Sequence, residues 1–206
     1  MIIAATMLWD ANEHSAKTSR CYSEKWVEKL YRGFKRNITR DFRFICFTER
    51  TRRFSEAKIE QLPILSTDIT WNCLIEPFRL DEPMILVGLD TLITGNIDHF
   101  VDYCEKEKLI ALPRDPYQPQ QSINGVSLIP AGNKYIYDSW RGENDMAWLR
   151  TFPCNYIDDL WPGHAISCKA SKVLLLGKQE SRIIYFHGNP KMDTLLDCDF
   201  VKENWI

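Results

Sequence analysis

The chain has 206 residues, of which 45% are hydrophobic and 26% charged, a composition that fits one globular domain and excludes a largely disordered protein. Its formal net charge of −2 excludes a global field drawing it onto nucleic acid or anionic membrane. No apolar run approaches the roughly 18 residues of a membrane span, and Met1-Ile2-Ile3-Ala4-Ala5-Thr6 lacks the basic start of a signal peptide.

In chain order, residues 2–7 form an apolar run that predicts a buried first strand, followed by a polar loop over 10–19. Tyr22, Trp26, Val27, Leu30, Tyr31 and Phe34 recur at helical spacing and predict an amphipathic helix, with Gly33 inside it. Residues 42–47 alternate and are rich in β-formers, so a second strand follows. Strand, helix and strand in this order predict a βαβ unit and a parallel sheet. Further strands are expected at 64–65, 84–87, 91–94, 109–112, 126–129, 173–176 and 183–186, and helices at 97–106 and 135–149. Residues 113–121 hold three prolines and read as a loop long enough to be functional; residues 158–169 read as mixed loop and helix. With no repeat, low-complexity tract or linker, residues 1–206 read as a single α/β domain with a central, mostly parallel mixed sheet flanked by helices.

The seven cysteines, Cys21, Cys46, Cys73, Cys104, Cys154, Cys168 and Cys198, are odd in number, include no C-x-x-C, and often lie in apolar runs such as Phe44-Ile45-Cys46-Phe47. Buried thiols in a reducing compartment fit this pattern better than zinc or disulfides, which predicts a cytoplasmic protein. Basic residues crowd positions 25–53; a solvated helix face explains them, and a patch for a polyanionic acceptor is the sharper alternative.

Two segments carry chemistry. In Met84-Ile85-Leu86-Val87-Gly88-Leu89-Asp90 an apolar strand delivers a carboxylate at its C-terminal end, where open α/β sheets bind ligands. A turn-capping Asp is the plainer explanation. In Ile183-Ile184-Tyr185-Phe186-His187-Gly188-Asn189-Pro190-Lys191 a second strand ends in a histidine, with a glycine that permits close backbone approach to an anion and a lysine four residues on. Carboxylate and imidazole suit one ion such as Mn²⁺ or Mg²⁺. The plainer explanation is a surface His and Lys in a proline-set turn. His14 and His99 read as solvated, and His164 as a minor acceptor-side candidate. No G-x-G-x-x-G, Walker A, G-x-S-x-G or H-E-x-x-H sequence occurs, so dehydrogenase, P-loop, hydrolase and zincin readings lack support.

Together these segments resemble the small GT-A glycosyltransferases of the glycogenin and galactosyltransferase group, of bacterial or phage type. The resemblance spans nearly the whole chain. It includes Tyr22-Ser23-Glu24-Lys25-Trp26-Val27 as the first helix, Phe44-Ile45-Cys46-Phe47-Thr48-Glu49 as the second strand, and Trp71 through Phe78 as a Trp-rich stretch. It continues with Ser122-Ile123-Asn124-Gly125-Val126 as the acceptor-side strand, Phe186-His187-Gly188 with Pro190-Lys191 as the C-terminal motif, and the short aromatic end at Trp205. The resemblance implies that Asp90 and His187 ligate Mn²⁺ or Mg²⁺. Thr6, Trp9 and Asp10 would hold the base and ribose, Arg79 and Leu89 would lie near the donor, and Gly188 and Lys191 would meet the diphosphate. Asn124 would face sugar or acceptor, and Asp158 and Asp159 would lie near the reacting carbon, as bases if configuration inverts. The implied reaction moves a sugar from a nucleoside-diphosphate sugar, a UDP-sugar first, to a hydroxyl of a glycan or other acceptor, with retention favoured. Gly88 departs from the pattern, standing where the first Asp of the family's Asp-x-Asp is expected. It supports an alternative, a non-catalytic protein of this fold that binds a nucleotide, a glycan or a protein. A second alternative keeps the chemistry but takes a hydroxylated base in DNA as acceptor.

Overall fold

The computed structural model describes the backbone of residues 1–206 and every side chain except that of Thr18. Ten strands form two sheets: β1 (Ile2–Leu8), β2 (Phe42–Thr48), β3 (Ile59–Pro63), β4 (Met84–Val87), β5 (Thr91–Ile93), β6 (Ile110–Leu112), β7 (Val126–Ile129), β8 (Cys154–Tyr156), β9 (Ala165–Ser167) and β10 (Ile183–Tyr185). The helices are α1 (Ala16–Ser19), α2 (Glu24–Asn37), α3 (Asp98–Lys106), α4 (Tyr135–Asp138), α5 (Asp145–Leu149), α6 (Ile157–Leu160), α7 (Val173–Leu176) and α8 (Asp199–Asn204), with 3-10 turns at Trp71–Leu80 and Met192–Thr194.

The main sheet has the order β3-β2-β1-β4-β7-β6-β8. β3, β2, β1 and β4 run parallel, β7 is antiparallel to both β4 and β6, and β6 and β8 are parallel. Every residue of β1 is buried, as a strand covered on both faces requires. Its side chains alternate between two cores. Ile2, Ala4 and Leu8 pack with α2 and α3, whereas Ile3, Ala5, Met7 and Trp9 pack with the Trp71–Leu80 helix, α4 and α5. The amphipathic α2 buries Trp26, Val27, Leu30, Tyr31 and Phe34. Gly33 lets it approach β5, since a Cβ there would lie 3.4 Å from Ile93 Cγ1. The mixed α/β sheet flanked by helices is the architecture expected from the sequence.

The smaller sheet has the order β5-β10-β9. Its antiparallel β5–β10 pair sets Thr91 opposite Tyr185, and Phe186 N donates to the Asp90 carbonyl at 2.8 Å. The two chemistry-bearing segments of the sequence are thereby joined along their backbones.

Several expectations are corrected. The strand expected at 64–65 lies earlier, at β3. The helix expected over 135–149 is two short helices, broken where Gly142 takes φ +99. The run 173–176 is the helix α7, and the 158–169 segment contains β9. The preceding β8, and α1 inside the polar loop, have no counterpart in the sequence pattern.

Most of the basic residues over 25–53 are engaged within the fold. Arg40 pairs with Asp102 and Glu105, Arg43 with Glu60 and Glu82, Arg50 with Asp10, and Arg52 with Asp10, Glu24 and Glu49. Lys29, Arg32 and Arg36 donate to the carbonyls of Trp205, Ile206 and Asn204. A nucleic-acid acceptor is therefore unsupported, because these cations already hold the C-terminal residues and neighbouring carboxylates. Among the described residues, no helix is long and apolar enough to cross a membrane.

Candidate functional site

The chain leaves β1 toward β2 on one side and later returns to place β4 on the other. The C-terminal ends of β1 and β4 thus flank a topological switch point, where α/β sheets hold ligands. Here lies a narrow crevice lined by Met7, Leu8, Trp9, Ser19, Tyr22, Trp71, Leu74, Gly88, Leu89 and Asp90. Trp9 and Trp71 meet edge to face with centroids 5.0 Å apart, and Trp9 Nε1 donates to Ser15 Oγ at 3.3 Å. The crevice offers aromatic walls and a carboxylate at one end.

Asp90 follows β4 after Gly88 and Leu89. Its carboxylate accepts a hydrogen bond from Lys191 Nζ, and the same ammonium donates to the Phe186 carbonyl at 2.6 Å. Lys191 is only 6% exposed, deep burial that a lysine tolerates only with a partner. Its Nζ lies 5.8 Å from the centroid of the Tyr22 ring. Burial first, and the neighbouring Asp90 second, hold the Tyr22 phenol far above its ordinary pKa, so it stays protonated. Gly188 takes φ +70 and Asn189-Pro190 is cis. This tight turn brings Lys191 back beneath Phe186.

His187 Nε2 is hydrogen-bonded with Ser167 Oγ at 2.6 Å. The ring stands edge-on to Tyr117, of the 113–121 loop, with centroids 5.8 Å apart. Burial, then Lys169, lowers the His187 pKa, so its neutral form is favoured. Lys17, Arg20, Cys21, Asn189, Lys191 and Asp193 share a cleft of about 390 Å³ on the other side of Lys191.

The remaining expected residues are placed as follows. Thr6 is wholly buried in β1 beside β4, its Oγ1 without a hydrogen-bond partner among the described residues, and it does not line the crevice. Asp10 caps the β1 end, paired with Arg50 and Arg52; its backbone N–H donates to Glu49 at 2.9 Å. Arg79 is drawn away from the crevice, donating to Glu76 and to the Pro63 carbonyl at 2.5 Å. Asn124 stands just before β7 and donates to Asp145 Oδ2 at 2.5 Å. Burial raises the Asp145 pKa, against the Asn124 hydrogen bond. The next residue, Gly125, lies flat against the Tyr185 ring, where a Cβ would stand 3.4 Å from Cδ2. Asp158 and Asp159 open α6 and are both engaged by Arg114, through its backbone N–H at 2.8 Å and its guanidinium at 2.6 Å. His99 is not solvated; its Nε2 and His164 Nδ1 lie 2.9 Å apart and its ring meets Trp161.

The sequence alone did not mark Tyr22, Trp71, Leu74, Tyr117, Ser167 or Asp145. Tyr22 read as the helix's apolar stripe and Trp71 as part of a motif. A wider cleft of about 550 Å³ between the Trp71–Leu80 helix and α4, lined by Thr70, Asn72, Tyr137, Trp140 and Arg141, touches neither Asp90 nor His187.

For a divalent cation, the donors present are a poor fit. Gly88 brings no ligand, Asp90 is bound by Lys191, and His187 is bound to Ser167. Among the described residues no group of three or more His, Cys, Asp or Glu side chains could hold a metal.

No family model and no curated protein matches the chain. Solved structures do. The galactosyltransferase LgtC in complex with donor and acceptor sugar analogues superposes at TM-score 0.58 and 9% identity, covering 93% of this chain and 89% of that one. The bifunctional glycosyltransferase WbbM gives 0.60 and 6%, covering 93% of this chain and 46% of that one. The glycosyltransferase GlyE of Streptococcus pneumoniae TIGR4 gives 0.56 and 11%, with 92% and 55% covered. The chain thus spans most of the length of LgtC and about half of WbbM and GlyE. At such low identity the likeness speaks for architecture, and this chain has the GT-A-like α/β fold on which those glycosyltransferases are built.

Proposed function

We propose that residues 1–206 form one glycosyltransferase domain. It moves a sugar from a nucleoside-diphosphate sugar, a UDP-sugar first, to a hydroxyl of a glycan or other acceptor. The observation that carries this reading is the aromatic crevice of Trp9 and Trp71, which runs to Asp90 and a buried lysine at the switch point. A base can stack on the half-buried Trp71 at the mouth of the crevice, and a diphosphate fits beside a fixed ammonium and the open backbone of Gly188. Leu89 lines the base and ribose end, with Asp10 beyond it at the end of β1 and Thr6 buried behind it in the strand. Asn124, Asp158 and Asp159 lie on the β7 and α6 side, where the acceptor would approach; Arg79 supports the end of β3 and the crevice only indirectly.

In the reaction, the bond from the anomeric carbon to the phosphate oxygen breaks and a bond to the acceptor oxygen forms. Negative charge grows on the departing diphosphate, and fixed positive charge there lowers the barrier. We favour retention, with the acceptor proton passing to the leaving phosphate; in the inverting alternative, Asp158 or Asp159 takes it. Mn²⁺ or Mg²⁺ would add Lewis-acid charge if it bound, but the residues around Asp90 do not make a fitting donor set. We place the protein in the cytoplasm, since Cys46, Cys73, Cys104, Cys154, Cys168 and Cys198 are free thiols.

The test is a screen of UDP-, GDP- and CMP-sugars for hydrolysis and transfer, with Asp90→Ala and His187→Ala beside the unaltered chain. Both substitutions are expected to lower turnover; unchanged turnover in both refutes the site. The observation favouring a non-catalytic binding protein is Gly88 with its occupied neighbour Asp90. That reading predicts nucleotide or glycan binding with no turnover of any sugar nucleotide.

A further inference from the structure

We propose that the Lys191 ammonium does the electrostatic work that a divalent cation does at the Asp-x-Asp of this fold, so that the diphosphate is held without metal. The proposal rests on the nucleotide-sugar reading above and deepens it.

Four observations at one place carry it. First, the position of the missing carboxylate is filled from the side. A Cβ at Gly88 would lie 2.7 Å from Asp90 Oδ1, so the Asp90 carboxylate leans into the space a side chain at 88 would need. Second, that carboxylate is turned to the Lys191 ammonium. Third, the ammonium is fixed by its second bond, to the Phe186 carbonyl at 2.6 Å, and by burial. An ammonium has three donors; Asp90 and Phe186 take two, and a phosphoryl oxygen can take the third. Fourth, His187, the other expected ligand, has its Nε2 committed to Ser167 Oγ at 2.6 Å.

With Gly88 bringing no second carboxylate, the single charge of Asp90 against the Lys191 ammonium sums to zero, and the ammonium's remaining donor leaves the site locally positive toward the diphosphate. With a second carboxylate at 88 the lysine would be overbalanced. The cleft behind Lys191 adds Lys17 and Arg20, exposed cations within reach of a second phosphate group. Lys191 donates a hydrogen bond to the leaving oxygen and transfers nothing. Asp90 orients the ammonium, and Tyr22 packs beneath it.

The experiment is calorimetric titration of the full chain with UDP, GDP, ADP and CDP, in EDTA and again in Mn²⁺. The expected result is that the diphosphate bound best in EDTA keeps its Kd within about twofold on adding Mn²⁺. Lys191→Ala is expected to weaken it by about tenfold or more, the scale of one lost charge-assisted contact to phosphate, while leaving the parent nucleoside unaffected. In the double variant Gly88→Asp with Lys191→Ala, Mn²⁺ should bind, seen by electron paramagnetic resonance, and diphosphate binding should become Mn²⁺-dependent. The comparison of the unaltered chain in the two buffers needs no variant to fold. Tightening of tenfold or more by Mn²⁺ in the unaltered chain overturns the lysine's role and leaves the donor reading standing. No diphosphate binding in either buffer overturns both.

Discussion

The loop that carries Trp9 and Asp10 into the site is held by a single buried guanidinium, and replacing it gives a strong test of how the site is built. The side chain of Arg52 is 2% exposed. It donates to Thr48 Oγ1 at 2.7 Å, Glu24 at 2.9 Å, Asp10 at 3.0 Å and both Glu49 oxygens at 2.8 and 2.9 Å. It thus ties the end of β1, the start of α2 and the end of β2 together. Removing one partner of a buried ion pair costs about 3–5 kcal/mol. Water can resolvate Asp10 and Glu24, which are 62% and 32% exposed, so we expect the lower end, about 3 kcal/mol, for Arg52→Met, which keeps the aliphatic stem. For a chain of this size that is a fall in Tm of about 6–12 °C. Acid sensitivity supplies a second readout. The hydrogen bond from Arg50, opposed by burial and aided by Arg52, lowers the Asp10 pKa from 3.8 to about 2. A depressed carboxylate contributes stability above its unfolded pKa and loses it as pH falls through the folded one. Between about pH 4 and 2, therefore, the slope of stability against pH should be shallower in Arg52→Met than in the unaltered chain. Urea denaturation across that range measures both effects. A loss below about 1 kcal/mol, the level of an exposed pair, refutes the view that Arg52 organises this end of the sheet.

Two further outcomes follow from the same contacts. Trp71→Leu removes the aromatic face and part of the apolar volume packed on Trp9, so nucleotide binding should weaken by about tenfold, within the 1–3 kcal/mol of a stacked base, with a fall in Tm from the lost packing; unchanged affinity by calorimetry removes Trp71 from the base site. Burial, then the charge of His164, lowers the His99 pKa from 6.5 to about 4, so in that window the unfolded chain binds a proton that the folded chain does not. Stability should fall as pH drops from 6.5 toward 4, and His99→Phe should flatten the fall; equal Tm-against-pH slopes would sink this assignment.

Legibility in the sequence followed length and periodicity. β1, β2, β4 and β7 are continuous apolar or β-rich runs, and α2 has a clear 3.6-residue stripe, so each announced itself. β8 and β9 are three residues each, too short to hold a pattern; their pairing to β6 and β10 is decided by tertiary neighbours. The run Val173-Leu174-Leu175-Leu176 reads as a strand because a short apolar run has no period. It is a helix because Lys172 at φ +52 and Gly177 at φ +75 turn the chain sharply at both ends. Leu175, 80% exposed, shows that burial did not select it.

The site followed a different logic. Asp90 and His187 could each be found at a strand end, but what engages them could not. Ser167 comes from a strand without a pattern, and Lys191 reaches Asp90 only after a turn set by Gly188 and Pro190. The antiparallel β5–β10 pair fixes that encounter: with Thr91 opposite Tyr185, the residues just before one and just after the other must face each other. Asp90 therefore meets the Phe186 backbone, and a lysine returning under Phe186 has the Asp90 carboxylate as its nearest anion. In the sequence Gly88 was only a missing ligand. In the fold it is the space into which Asp90 turns while holding Lys191, so the departure from the Asp-x-Asp pattern and the Asp90–Lys191 pair belong to one arrangement. Within it each charge needs the other: a lone Asp90 would lack its cation, and a lone buried ammonium would lack its anion.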